Sequence, residues 1–358
     1  MYTLYSLTSG LHSETVAEPA DERFIQDIEE ALGEAFEFGR TDFSEYSRTR
    51  NNIIYVRTGR PGEILHGSAE EIALRLRDGF TKGGKSHVKE YDMGRILEGY
   101  KVGVVGKPSD WLISSDVDYA VAKERLGVEI VDIDINELVG LAEEPDRKWL
   151  EGLKLNPPNK PKFGKSFSEK DFCGSMDIYC AMKTLVERYG LAGVSLRCFD
   201  LLTALGNTGC MALAILNSQG VVATCEGDIP TLLSMCIAHR KFGISGFQAN
   251  LSRIDGDKML FAHCTVPLNM VEEYSYDTHF ESGIGVAVHG VLPAGAARIF
   301  KLSPDCSEMF LEDVEILENQ YNDCLCRTQI LVDAPGLADY FLRSPIGNHH
   351  VIIPERRQ

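Results

Sequence analysis

Residues 156–166, NPPNKPKFGKS, constrain the fold of this chain more than any other stretch. Pro157, Pro158 and Pro161 fall almost side by side. A proline lacks the backbone N–H that a helix interior or a central strand needs, so neither element runs through this segment. It reads as a linker, and composition shifts across it. All ten cysteines lie at or beyond Cys173. The expected organisation is an N-terminal region over 1–160, divisible into 1–95 and 96–160, and a C-terminal domain over 161–358.

Patterns on the two sides differ. Before the linker, Ile53–Val56 is a short β-branched run and Glu70–Asp78 spaces its apolar residues as a helix does. Lys101–Val105 (KVGVV) reads as a buried strand, Tyr119–Leu126 as an amphipathic helix and Val128–Ile133 as a second strand. Strand, helix and strand within thirty-odd residues predict a parallel βαβ unit. After the linker, 168–189 reads as one long helix with Ser168 at its N-cap and Gly190 just past its end. Short apolar runs follow at 193–197, 220–224, 259–263, 283–291, 297–302 and 349–353. The expected fold class is α/β: N-terminal Rossmann-like regions with a parallel sheet, then a C-terminal α+β domain with a mixed, mostly antiparallel sheet.

Composition excludes several functions. With 36 Lys+Arg against 53 Asp+Glu the formal charge is −17, and no basic stripe is present. Nucleic-acid binding draws on neutralising phosphates, so it is excluded. No apolar run reaches the roughly 18 residues of a membrane span. The start, MYTLYSLTSGLHSE, lacks the basic and apolar blocks of a signal peptide, so a cytoplasmic location is expected. The cysteines are then expected to be reduced and mostly buried. Cys324 and Cys326 are spaced one residue too closely for a zinc knuckle, and the spacing predicts both on one face of a strand.

Two glycine motifs carry no chemistry. Gly79–Ser86 (GFTKGGKS) matches the phosphate-loop pattern, but that loop must leave a buried strand, whereas the residues ahead of it have helical spacing. Gly103 to Gly106 (GVVG) lacks the third glycine of a dinucleotide fingerprint.

Four polar stretches stand at the ends of apolar runs in the second half. CEGD (225–228) follows VVAT, and HCTVP (263–267) follows MLFA. GNHH (347–350) precedes VIIP, and FQANLSRIDGD covers 247–257. Histidine nitrogens and carboxylate oxygens gathered from several strand ends suit Mn²⁺, Co²⁺, Fe²⁺ or Zn²⁺ better than Ca²⁺. Taken one at a time, each stretch is equally an ordinary turn or a satisfied histidine. Together they mark a metal or polar-ligand site.

The run CEGDIPTLLSMCIAHRKFGISGFQANLSRIDGDKMLFAHCTVPL resembles the catalytic core of the L-fucose isomerase-like family, with L-arabinose isomerase as a more distant relative. VSLRCFDLL, ESGIGVAVHGVLPAGAARIFKL, GNHHVIIP and, before the linker, KVGVVGKPSDWLISSDVDYAVAKERLGVEIVDIDINEL agree in the same order. The resemblance implies an aldose–ketose isomerase that uses a divalent metal, most often Mn²⁺, and passes through an enediol(ate). Carried over by residue, it implies Glu226 as metal ligand and proton-transfer group, His263 as a further ligand, His350 or its neighbour His349 as the terminal histidine ligand, and Asn250 at the position of the family's second carboxylate. His349, Asp228 and Trp111 are expected as substrate contacts, Trp111 equally as a half-buried interface aromatic, and the resemblance implies a trimer or hexamer as the assembly. An asparagine cannot accept a proton as a general base. Asn250 therefore leaves several readings: an isomerase in which Glu226 acts alone, one in which Asp228, Asp255 or Asp257 stands in as the second carboxylate, a related sugar-processing enolisation, and a non-catalytic sugar-binding protein on the same scaffold. Arg197, Asp200 and Arg327 are read as structural ion pairs.

Overall fold

The computed structural model describes residues 87–109, 112, 114–156, 167–343 and 345–355, with short pieces at 5–7, 17–19, 26–27, 30–31, 33, 46–48 and 54–56. The expected helix at 70–78, the GFTKGGKS loop, Trp111 and most of the proline segment lie outside the described residues. Ile54–Val56 is a strand, paired antiparallel with Tyr46–Arg48.

The expected βαβ unit is present. Strand β2 (Lys101–Val105) is followed by helix α1 (Tyr119–Leu126) and strand β3 (Glu129–Ile133), and β2 pairs β3 in parallel. Helix α1 starts where the Asp118 side chain accepts from the amides of Ala120 and Val121, and it ends at Gly127 in the left-handed conformation. Both devices satisfy backbone groups that a helix end leaves open. Helix α2 is Ile135–Glu143. Helix α3 (Glu169–Tyr189) opens on a reciprocal Ser168–Asp171 capping box and closes at Gly190, as its sequence signals require.

Strands β4 (Gly193–Leu196) and β5 (Val222–Cys225) extend the same sheet, giving a parallel order β3-β2-β4-β5. The sheet thus takes strands from both sides of the proline segment. Strands β2, β4 and β5 are almost wholly buried because both faces are covered, whereas the edge strand β3 (EIVDI) leaves Glu129 and Asp132 exposed. Helices α2, α3 and α4 (Cys210–Ser218) bury one face, and α1 with α5 (Ile229–Phe242) bury the other.

The rest of the chain forms an antiparallel ring. Strands β6 (Phe247–Asp255) and β7 (Lys258–His263) form a hairpin. A smaller ladder joins β8 (Glu273–Asp277) to β9 (Ala287–Val291). Then come β10 (Gly295–Leu302), β11 (Glu308–Asn319), β12 (Thr328–Asp333), helix α6 (Ala338–Arg343) and β13 (His349–Pro354). The order β10-β13-β6-β7-β12-β11 closes because β10 also pairs β11, while β1 (Val88–Glu90) adds to the outside of β11. Closure leaves no free edge within the ring.

Alternation along the ring strands separates two environments. Phe247, Ala249 and Leu251 point inward with Phe261, Ile299, Phe310, Ile330 and Ile352, and α6 supplies Tyr340 and Phe341. Each such phenylalanine is worth about 3–5 kcal/mol on truncation to alanine. On the outer wall, Phe300, Leu302, Val351 and Ile353 pack with α5. Helix α5 is therefore clasped between the parallel sheet and the ring. The C-terminal end of β5 consequently faces the ends of the ring strands.

No helix among the described residues is long and apolar enough to cross a membrane. Seven of the ten cysteines are buried. Cys324 and Cys326 do not share a strand face: they sit in the turn ahead of β12, where the chain must cross from β11 and has no ladder partner to hold it extended.

Candidate metal centre

Strand β5 ends at Cys225, and the next two residues, Glu226 (φ 63°) and Gly227 (φ 62°), are both left-handed. Holding a glutamate in this region costs about 1–2 kcal/mol. The surroundings impose it. The Ser109 hydroxyl, on the segment after β2, donates to the Glu226 carbonyl, and the Gly227 amide donates to the Leu196 carbonyl at 3.1 Å. Gln248, on β6, accepts from the Cys225 amide at 2.8 Å and donates to the Cys225 carbonyl at 3.2 Å. That side chain mimics one step of strand pairing and locks the ring to the end of β5. Asp228 then caps α5 by accepting from the Thr231 amide.

Three side chains converge where these elements meet. Oε1 of Glu226 lies 3.5 Å from His263 Nε2 and 3.4 Å from His349 Nε2. One donor atom from each residue lies within 4.8 Å of the others, close enough for the three to hold one metal ion. Both histidines are buried and the Glu226 side chain is 14 % exposed, so solvent meets the cluster at the carboxylate. His263 Nδ1 is engaged by the Thr265 hydroxyl at 2.9 Å. His349 Nδ1 donates to Asp228 Oδ2 at 2.9 Å. The buried His349 Nε2 makes no hydrogen bond. Its nearest acceptor is Glu226 Oε1 at 3.4 Å, and a cation between the three donors would serve this nitrogen and the carboxylate together.

The charges agree with that use. Burial pushes the Glu226 carboxyl up, but His349 and His263 overcome this and hold it well below its ordinary value. Burial likewise opposes ionisation of Asp228, but Lys301 and His349 hold it at about 2. At His349 burial favours the neutral ring, yet Glu226 and Asp228 raise it to about 9.

The expected site residues separate accordingly. Glu226 and His263 come together as expected. The pair His349–His350 divides across the strand: His349 joins the cluster, whereas His350 does not. The His350 ring points into the ring's interior, between Phe310 and Phe341, with Nε2 2.8 Å from the Tyr340 hydroxyl. Burial, with Lys301 nearby, depresses it to about 3. Neighbours on a strand face opposite ways, so only one of two adjacent histidines reaches any given site. Asp228, expected as a substrate contact, is fully buried and bonded to His349 and Lys301. Asn250 sits directly across the β6–β13 ladder from His349. Directly opposed side chains emerge on one face with Cβ atoms about 5 Å apart. Asp255 pairs Lys258 at the far end of the hairpin and Asp257 accepts from the Gly336 amide, so neither substitutes for Asn250. Arg327 is buried and donates to Thr278, with Asp277 at 3.8 Å. Arg197 pairs Asp200 at 3.3 Å.

Two residues of this centre were not expected. Lys301 is the lone charge in the strand run IFKL, and its signal was that its face is shared with Ile299, inside the ring. Gln248 carried no signal, because its partner is main chain far away in sequence.

A strained carboxylate and two histidines, mounted where a parallel sheet meets an antiparallel ring, form a cluster in an α/β scaffold whose donor atoms could hold one metal ion. No protein-family model matches the chain. Among known proteins it is similar to sulfoquinovose isomerases. It is 24 % identical to that of Priestia aryabhattai over 255 residues, 68 % of this chain and 55 % of that protein. With that of Clostridium sp. (strain MSTE9) it shares 27 % over 262 residues, 67 % and 54 % of the two chains. With that of Alkalicoccus urumqiensis it shares 22 % over 209 residues, 57 % and 45 %. The chain spans about half the length of these relatives.

Proposed function

We propose that this chain is a divalent-metal-dependent aldose–ketose isomerase acting on a monosaccharide. The observation that carries the reading is the convergence of Glu226, His263 and His349 on one point, with His349 Nε2 left without a hydrogen bond. Two nitrogens and a carboxylate oxygen suit Mn²⁺ or another borderline divalent ion. Glu226, His263 and His349 would hold it, with the Asn250 amide beside them. When bound, such an ion polarises the sugar carbonyl and offsets the negative charge that develops on its oxygen.

The chain's own groups do the rest. Glu226 is the one carboxylate that is both in the cluster and open to solvent, so it takes the proton from C2 and returns it to C1. A single base on one face of the sugar is sufficient for a 1,2-shift. Asn250 orients a sugar hydroxyl or completes the ion's coordination, but moves no proton. Asp228 is sealed from substrate and acts on the cluster through His349. The sugar named for the relatives, sulfoquinovose, is the first substrate to try. A cytoplasmic homo-oligomer is part of the same proposal.

The test is to load the purified chain with Mn²⁺, add sulfoquinovose or a panel of aldoses in D₂O, and follow C2–H exchange and ketose formation by NMR. Exchange that Glu226→Gln abolishes supports the mechanism. Near-stoichiometric metal uptake with no exchange for any aldose leaves the scaffold as a binder, and no metal uptake at all removes the proposal.

A further inference from the structure

Lys301 is fully buried, and among the described residues it is the largest fully buried cation after Arg327. Its strand, β10, is otherwise apolar at this end, with Phe300 and Leu302 packed on α5. Nζ donates to Asp228 Oδ1 at 3.2 Å, to Asp228 Oδ2 at 3.3 Å and to the Thr231 hydroxyl at 2.6 Å. All three of its protons are used. Asp228 in turn accepts from the Thr231 amide at 2.8 Å through Oδ1 and from His349 Nδ1 at 2.9 Å through Oδ2. The carboxylate is thus held at both oxygens, with one lone pair of Oδ2 aimed at the imidazole.

Space has been cleared for this lysine. A Cβ on Gly347 would stand 2.6 Å from Lys301 Cε and 3.0 Å from Nζ. Gly347 lies two residues before His349, so the glycine of GNHH makes room for the lysine stem. A buried, paired lysine is not a cheap way to join two elements, because removing two charges from water costs several kcal/mol per ion and apolar residues of similar volume often do as well. What apolar residues cannot do is fix the rotamer of a carboxylate.

We infer that Lys301 is a positioning residue for the metal centre: it locks Asp228 so that His349 carries its proton on Nδ1 and presents Nε2 to the cation. The inference rests on the isomerase-type metal reading of Glu226, His263 and His349 and extends it one layer outward. An imidazole that ligates through one nitrogen is ordinarily oriented through the other, and loss of such an outer partner weakens metal affinity about 10–100-fold. Lys301 stands one bond further out and acts through Asp228. Its effect therefore vanishes when Asp228 can no longer accept as a carboxylate.

The experiment is Co²⁺ titration, followed by visible absorption, of the full chain as wild type, Lys301→Met, Asp228→Asn and the double variant, with circular dichroism to confirm the fold. Lys301→Met is expected to raise the Co²⁺ dissociation constant about 10–100-fold, and the double variant is expected to be no weaker than Asp228→Asn alone. Wild-type affinity in Lys301→Met, or a double variant as weak as the product of the two single effects, overturns the inference and returns Lys301 to a purely structural tie. Should Lys301→Met not fold, Thr231→Val removes only the hydroxyl that steadies Nζ and is expected to shift affinity the same way, by less. A wild type that takes up no Co²⁺ removes the metal reading, and the lysine is then judged separately by ¹⁵N NMR of His349. A single Nδ1–H tautomer at high pH that becomes a mixture in Lys301→Met supports the positioning role, and an unchanged spectrum refutes it.

Discussion

Replacing Gly227 with alanine probes whether the turn that carries Glu226 is held by contact or merely by chance. Gly227 has φ 62°, and a Cβ there would sit 2.6 Å from the Lys107 carbonyl oxygen, 3.2 Å from the Ser109 amide nitrogen and 3.3 Å from Pro108 Cα. All three are main-chain atoms, so no side chain can swing aside. The left-handed conformation costs about 1–2 kcal/mol for a residue with a Cβ. Forcing back the 107–109 segment adds about 1–3 kcal/mol, the usual range for overpacking. The expected loss is therefore about 2–5 kcal/mol. Gly243 is the internal control, with φ 71° and nothing within 4 Å of a built Cβ. Gly243→Ala carries only the conformational cost, about 1–2 kcal/mol. Urea unfolding of the two variants at matched m-values reads the difference directly. Because Ser109 holds the Glu226 carbonyl, Gly227→Ala is also expected to weaken Co²⁺ binding at least about tenfold, while Gly243→Ala leaves it unchanged. Equal destabilisation by the two alanines, or unchanged metal affinity in Gly227→Ala, refutes the steric argument.

The remaining expectations concern the donors. Only a neutral imidazole ligates, and His349 is raised to about 9, so a cation must displace its proton at neutral pH. Metal affinity is expected to climb about tenfold per pH unit from 7 to 9 and flatten above, read by calorimetry in two buffers of different ionisation enthalpy; a flat profile contradicts it. His350→Phe is expected to keep metal binding and change stability by less than about 3 kcal/mol, whereas His349→Gln abolishes uptake. The reverse pattern in metal analysis would transfer the ligand role to His350. Asn250→Asp places a carboxylate opposite His349, and it is expected to tighten Mn²⁺ about tenfold or more and raise the rate of C2–H exchange. An inert variant shows that residue 250 does not face the bound ion.

Local signals in the sequence account for many of the elements. Valine-rich runs, the Ser168–Asp171 capping box and Gly127 and Gly190 place β2, β3, α1 and α3, because those rules act over a few residues. Apolar runs also marked β4, β5, β7, β9, β10 and β13. Strand β11 carried no comparable signal. In β11 inward Phe310, Val314 and Ile316 are interleaved with charged residues that only ring closure explains. The sharing of one sheet by β2, β3, β4 and β5 across the proline segment was equally invisible, since parallel partners meet through long connections.

For the centre, the residue types at strand ends were enough to single out Glu226, His263 and the GNHH stretch, since isolated polar groups against apolar runs need a purpose. Which histidine of the pair turns toward Glu226 depends on the register of β13 against β6, and a register is a tertiary fact. Sealing Asp228 inside the protein, and turning it from a substrate contact into the partner of His349, required Lys301 to arrive from a strand seventy-three residues away. Sequence alone determined which atoms were available as donors and that they stand where apolar strands end. Only the closing of the ring against the parallel sheet decided which of them meet, because a metal site is a set of distances between residues that the chain itself keeps far apart.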